Sequence, residues 1–130
     1  MPIGERPAMS DYGVDVPEWE ALPWSWAAER LIATRNYWVI TVAANPRVAL
    51  TNSDSIECVS VQGSAVRLTD MARIDTWVER YIAKYEEMGP DAGDFIREHA
   101  CFEVTPTLAL TVIERPDEFA LRATRWRFDQ

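Results

Sequence analysis

The sequence predicts one α+β domain built on a mostly antiparallel sheet, and three observations lead there. Five runs rich in β-branched and aromatic residues follow one another with few helices between them, an order that favours an antiparallel α+β barrel over a doubly wound parallel sheet. Two stretches have the three- and four-residue apolar spacing of amphipathic helices, with start and stop signals at their ends. Finally, 130 residues with 48% hydrophobic content are enough for one core without disulfides or metal. Residues 1–16, rich in Pro, Gly and charge, read as a flexible N-terminal arm, and residues 17–130 as the domain.

The first helix is expected in PEWEALPWSWAAERLIATR, where Pro23 suits an opening position and Trp24, Ala27, Ala28, Leu31 and Ile32 share one face. Capping the open end of a barrel explains that face. NYWVITVA (36–43) is an unbroken β-type run that Asn45-Pro46 ends, after which RVALTNS resumes the pattern. IECVSVQGSAVRL (56–68) is strongly β with Gly63 interrupting it, the mark of a bulge or of a close backbone approach. Thr69-Asp70 offers an N-cap to the longest helix, whose apolar stripe is Met71, Ile74, Val78, Tyr81, Tyr85 and Met88, and Gly89-Pro90 stops it. A short helix in DAGDFIREHA precedes two last strands, CFEVTPTLALTVIE and EFALRATRWRF, separated by the turn Arg115-Pro116-Asp117.

Composition excludes several classes of function. Acidic residues outnumber basic ones 21 to 13, giving a formal charge of −8, and such a field repels nucleic acid and anionic membranes. Cys58 and Cys101 lie in apolar stretches and are expected to be buried, reduced and unpaired. With no apolar run of signal-peptide type near Met1 and none of membrane-spanning length, a cytoplasmic location is expected.

The usual catalytic patterns are also missing. There is no phosphate-binding glycine loop, no zinc spacing of Cys and His, and no GxSxG elbow. His99 is the sole imidazole, and at the end of a short helix it reads as a cap or surface residue. Glu79, Glu86 and Glu87 fall on the solvated side of the long helix, and Glu57 fits a strand edge or barrel mouth. What remains is aromatic and guanidinium chemistry. Trp38 lies on the first strand and Arg125-Trp126-Arg127 on the last, and indole and guanidinium together suit a flat, phosphate-bearing ligand. An ordinary edge strand has the same alternation.

The segments PWSWAAERLIATRNYWVITV, NPRVAL, CVSVQGSAVRLTD, AKYEEMG and ATRWRF, in that order over about residues 17–130, resemble the pyridoxamine 5′-phosphate oxidase-like flavin- and deazaflavin-dependent oxidoreductases. ATRWRF and the helix-to-strand opening are more similar to the deazaflavin-using branch. The resemblance implies an FMN-binding split β-barrel with flanking helices, a homodimer, and FMN or a deazaflavin coenzyme exchanging hydride or electrons with a small-molecule substrate. It places the cofactor near Trp38, Thr41, Arg125 and Trp126.

One departure is large. Similar proteins continue the first strand through a D-G-x-P hairpin, two further strands and a basic R-x-x-K-A-x-N-L segment that grips the cofactor phosphate. Here Val42 runs straight into Ala43-Ala44-Asn45-Pro46-Arg47, so the second and third strands and the phosphate cage have no counterpart. Arg125, Arg127 and Arg47 are the cations left near a groove, and binding weaker than ~10 μM is expected. The alternative function is a shortened, cofactor-less barrel serving as a ligand-binding or dimerisation module.

Overall fold

A computed structural model describes residues 2–9, 18–33, 46–99 and 101–128, together with the backbone of residues 37–41. In chain order the elements are β1 (Ile3–Glu5), α1 (Trp24–Ala33), β2 (Tyr37–Thr41), β3 (Arg47–Asn52), β4 (Glu57–Arg67), α2 (Met71–Lys84), a 3₁₀ turn (Glu86–Met88), α3 (Ala92–Glu98), β5 (Phe102–Ile113) and β6 (Thr124–Arg127). The fold is α+β, as the strand order in the sequence predicts. Its six strands form one sheet in the order β1-β6-β5-β4-β3-β2, and among the described residues the sheet is open, with β1 and β2 at its two ends.

The chain divides into two compact units, residues 1–64 with 106–130, and residues 65–105. In the first unit, β2, β3 and the first part of β4 form a meander in unbroken antiparallel register, from Tyr37↔Asn52 to Thr41↔Val48 and from Arg47↔Ser64 to Thr51↔Ser60. The turn between β3 and β4 is tied by Asp54, whose Oδ1 accepts the amides of Ile56 (2.8 Å) and Glu57 (3.0 Å), an Asx turn.

The core of this unit comes from one face of each element: Leu22 and Ala27 around α1, Val59 and Val61 from β4, Ala109 and Ile113 from β5, and Trp126 from β6. Alternation in β4 and β6 selects these faces, since inward and outward residues must differ by one position. Much of the aromatic content is spent here. Trp24 packs edge-on against Trp126 (centroids 5.4 Å apart) and Phe128 (4.9 Å). In α1, Ala27 is fully buried and Trp24, Ala28 and Leu31 half-buried. Ile32, expected on the same face, is 70% exposed, because the helix is ending and only its first two turns meet the sheet. Pro23 stands just before the helix and accepts the Trp26 amide at 3.0 Å.

Three expectations are corrected in this unit. Part of the N-terminal arm is ordered structure: Ile3–Glu5 pairs antiparallel with Arg127–Arg125, with Gly4 opposite Trp126, and Met9 is buried against Ala120 and Ala123. Residues 10–16 of that arm lie outside the described residues. Gly63 makes no bulge against β3, whose pairing passes through it without a skipped residue. The last strand is only Thr124–Arg127, because Pro116 opens helical turns in which Phe119 N donates to Arg115 O (2.9 Å) and Arg122 N to Glu118 O (3.0 Å). Those turns bring Ala120 and Phe119 to the Met9 cluster, and that burial outweighs the strand propensity of the segment.

In the second unit, Asp70 caps α2 as expected, its carboxylate accepting the Ala72 amide at 3.0 Å. Of the expected stripe, Ile74 and Val78 are buried and Tyr81 and Tyr85 half-buried, whereas Met71 and Met88 are more than half exposed; α2 ends at Lys84, short of the expected Met88, which falls in the 3₁₀ turn. Gly89 stops the run with φ 78°, a conformation that favours glycine. Gly93 of α3 allows a close approach to α2, because a Cβ there would lie 2.8 Å from Val78 Cγ1 and 3.3 Å from Ile82 Cδ1.

Candidate functional site

The four residues expected to hold a cofactor lie on two strands, β2 and β6. Trp38 and Thr41 are on β2, opposite Thr51 and Val48 of β3, and their side chains lie outside the described residues. Arg125 and Trp126 are on β6, which three strands separate from β2, about 19 Å along the sheet at the usual strand spacing. Period-two alternation also puts Arg125 and Trp126 on opposite faces of β6. The Trp126 indole is 1% exposed, its Nε1–H donates to Leu22 O at 3.1 Å, and Trp24 covers it edge-on. A ring buried in this way has no face left on which a ligand can stack. The Arg125 guanidinium donates to Glu5 Oε1 at 2.6 Å, and Arg127 reaches Glu5 Oε2 at 3.1 Å. Both arginines therefore fasten β1 to β6.

The other singled-out groups have structural work. Glu57 accepts Arg30 Nε (3.2 Å) and Nη2 (2.9 Å) and lies 3.6 Å from Arg115, while the Arg30 guanidinium sits 3.7 Å over the Trp26 ring. The cluster fixes α1 to β4. His99 does cap a helix, as expected: its Nδ1 lies 2.7 Å from Phe95 O, and its ring stacks on Phe95. Cys58 and Cys101 are free, as expected, but half-buried rather than buried. The Cys58 Sγ is 3.1 Å from Thr51 Oγ1, so it faces a polar neighbour on the adjoining strand.

The structure has instead a groove of about 300 Å³ on the first unit, lined by Arg47, Val48, Ala49, Gln62, Gly63, Ser64 and Thr107. The meander register sets Arg47 opposite Ser64, Val48 opposite Gly63 and Ala49 opposite Gln62. Thr107, on β5, joins the wall by donating its hydroxyl to Gln62 O at 3.2 Å. Along the face that carries Leu50 and Val61 into the core, the next pair is Val48 and Gly63. Gly63, itself buried, has no side chain at that place.

Among the described residues, the lining holds one guanidinium, one amide and two hydroxyls over an aliphatic floor, and no carboxylate, imidazole or thiol. Such a set can orient a ligand and donate hydrogen bonds, and it has no side chain suited to general acid–base work near neutral pH. Among the described residues, two carboxyls are held below the usual range, and neither lines the groove. Asp54 is shifted down by the backbone amides of Glu57 and Ile56, and Glu103 by hydrogen bonds from Arg73 and then Trp77. Among the described residues no group of His, Cys, Asp and Glu could hold a metal ion, and no helix is long and apolar enough to cross a membrane.

Two signals in the sequence pointed to this place: Arg47 among the cations left near a groove, and Gly63 as an interruption of its strand. Gln62, Ser64 and Thr107 had no such signal. No family model matches the chain, and neither the curated proteins nor the solved structures give a match.

Proposed function

We propose that the chain is a small-molecule-binding module of the flavin and deazaflavin split-barrel type, shortened and without a catalytic side-chain centre, and that the groove over β3 and β4 is its ligand site. The supporting observation is the groove itself. It is an aliphatic notch rimmed by Arg47, Gln62, Ser64 and Thr107, which matches the pattern of small-ligand sites: apolar walls with a few polar groups that fix orientation. FMN and the deazaflavin coenzyme are the molecules to try first. The described residues do not fit a tightly held cofactor, because Trp126 is covered and Arg125 is paired with Glu5, and the one arginine among the described lining residues falls short of a phosphate cage. Binding weaker than ~10 μM follows. Homodimer formation belongs to the same proposal.

A second reading is a flavin- or deazaflavin-dependent oxidoreductase acting on a small molecule. Its support is the register: Thr41, one of the expected cofactor residues, is the pairing partner of Val48 in the groove wall. In that reading the redox chemistry belongs to the bound cofactor, and the chain supplies only position and hydrogen bonds.

Titration of ¹⁵N-labelled protein with FMN, followed by amide chemical shifts, tests the site. Shifts centred on residues 47–49, 62–64 and 107 are expected. Shifts centred on Arg125 and Trp126, or none at millimolar FMN, would overturn the assignment.

A further inference from the structure

The side of α2 that buries Ile74 and Val78 leaves another stripe of the helix outside. Arg73, Thr76, Trp77 and Arg80, at i, i+3, i+4 and i+7, are neighbours on it, and with Ala72 they line a groove of about 330 Å³. Glu103 of β5 fixes two of these side chains. Its carboxylate accepts Arg73 Nε and Nη2, each at 2.7 Å, and Trp77 Nε1 at 2.9 Å. That pairing leaves the Nη1 arm of Arg73 as a donor for something else. The Trp77 indole is 39% exposed with its N–H already bonded, so what it offers outward is ring surface.

Fastening α2 to β5 accounts for Arg73 and Trp77 but not for Arg80. The Arg80 guanidinium lies 4.8 Å over the Trp77 ring and, among the described residues, pairs with no carboxylate. None of the described lining residues is acidic. The nearby acids have other partners, since Asp70 caps the helix and Asp75 binds Arg97. The stripe is therefore cationic within a chain of formal charge −8. A second copy suits it poorly, because a two-fold axis there would set these arginines against their own kind.

We infer that this stripe is a binding site for a planar aromatic anion, a carboxylate or phosphate carried on a flat ring. Arg80 and the Nη1 arm of Arg73 take the oxyanion, and Trp77 takes the ring, as guanidinium forks and indole surfaces do. The site belongs to the unit 65–105 and does not depend on the groove over β3 and β4.

The probe is naphthyl phosphate, with inorganic phosphate and naphthol as its two halves, each titrated into ¹⁵N-labelled protein. Shifts centred on the amides of residues 72–80 and on the Trp77 indole N–H are expected, with each half binding at least ~tenfold more weakly than the whole. Arg80→Gln is expected to weaken binding about fivefold, the order of one exposed ion pair, with little change in thermal midpoint. Arg97→Gln removes the same charge from α3, where Arg97 pairs with Asp75 and Asp94, and should leave binding unchanged. Equal weakening by the two variants would overturn the inference, because net charge alone would then draw the probe. So would equal affinity for inorganic phosphate and naphthyl phosphate, or no shift at residues 72–80 at ~5 mM probe. Shifts confined to residues 47–49 and 62–64 would overturn this site and support the ligand site proposed above.

Discussion

Replacing Trp126 separates two roles that the sequence alone left open, ligand stacking and core packing. In the structure the indole is 1% exposed, makes an edge contact with Trp24, and bonds Leu22 O through Nε1 at 3.1 Å. Trp126→Phe keeps an aromatic ring and removes the donor. The Leu22 carbonyl is then left buried without its partner, at a cost of about 1–3 kcal/mol. Trp126→Ala adds the cavity of a lost core aromatic, which alone costs about 3–5 kcal/mol. Against a typical total stability of about 5–15 kcal/mol, the alanine variant is close to unfolding and the phenylalanine variant is the informative one. Urea unfolding followed by far-ultraviolet circular dichroism reads the effect without relying on tryptophan emission. A loss of about 2 kcal/mol at an m-value of about 2 kcal/mol/M lowers the midpoint by about 1 M. FMN affinity should not change, because Trp126 lies outside the groove lining. An unchanged urea midpoint with lost FMN binding would refute the core assignment and restore Trp126 to a ligand site.

Other perturbations follow from the same contacts. Arg125→Ala breaks a half-exposed pair with Glu5 and should cost about 0.2–1 kcal/mol with FMN binding intact; a double-mutant cycle with Glu5→Ala should show a coupling of that size. Gly93→Ala places a Cβ 2.8 Å from Val78 Cγ1, an overpacking that should cost about 1–3 kcal/mol, visible as faster amide exchange in α2 and α3. The Asp54 carboxyl has a folded pKa below its ordinary value because it accepts two backbone amides. Its stabilising contribution is therefore full above the unfolded-state value and is lost as pH falls through the folded one. The difference in urea midpoint between unmodified protein and Asp54→Ala should shrink as pH is lowered from 6 to 3, and a gap constant over that range would exclude the linkage. Cys58 and Cys101, half-buried, should react with a thiol reagent slowly but completely in native conditions, and complete protection of both would contradict their exposure.

What the sequence made legible was local. Asp70 announced the start of α2, Gly89 the close of the 3₁₀ turn that follows it, and Pro46 the break before β3, because each acts through bonds and dihedral angles within a few residues of itself. The strand runs were equally plain, apart from β1, which lay in the expected N-terminal arm, and the segment after Pro116, where burial of Phe119 and Ala120 beside Met9 prevails over propensity. The candidate site was illegible for a different reason. Residue type showed that Arg125 and Trp126 could grip and stack on a ligand, but their duties are set by partners 120 and 104 positions away, Glu5 and Leu22. The same holds for Thr107, which reaches the groove by bonding a strand 45 residues earlier. Gly63 is the instructive exception. Its oddness in a strand was visible locally, and the register shows no skipped residue beside it on the β3 side.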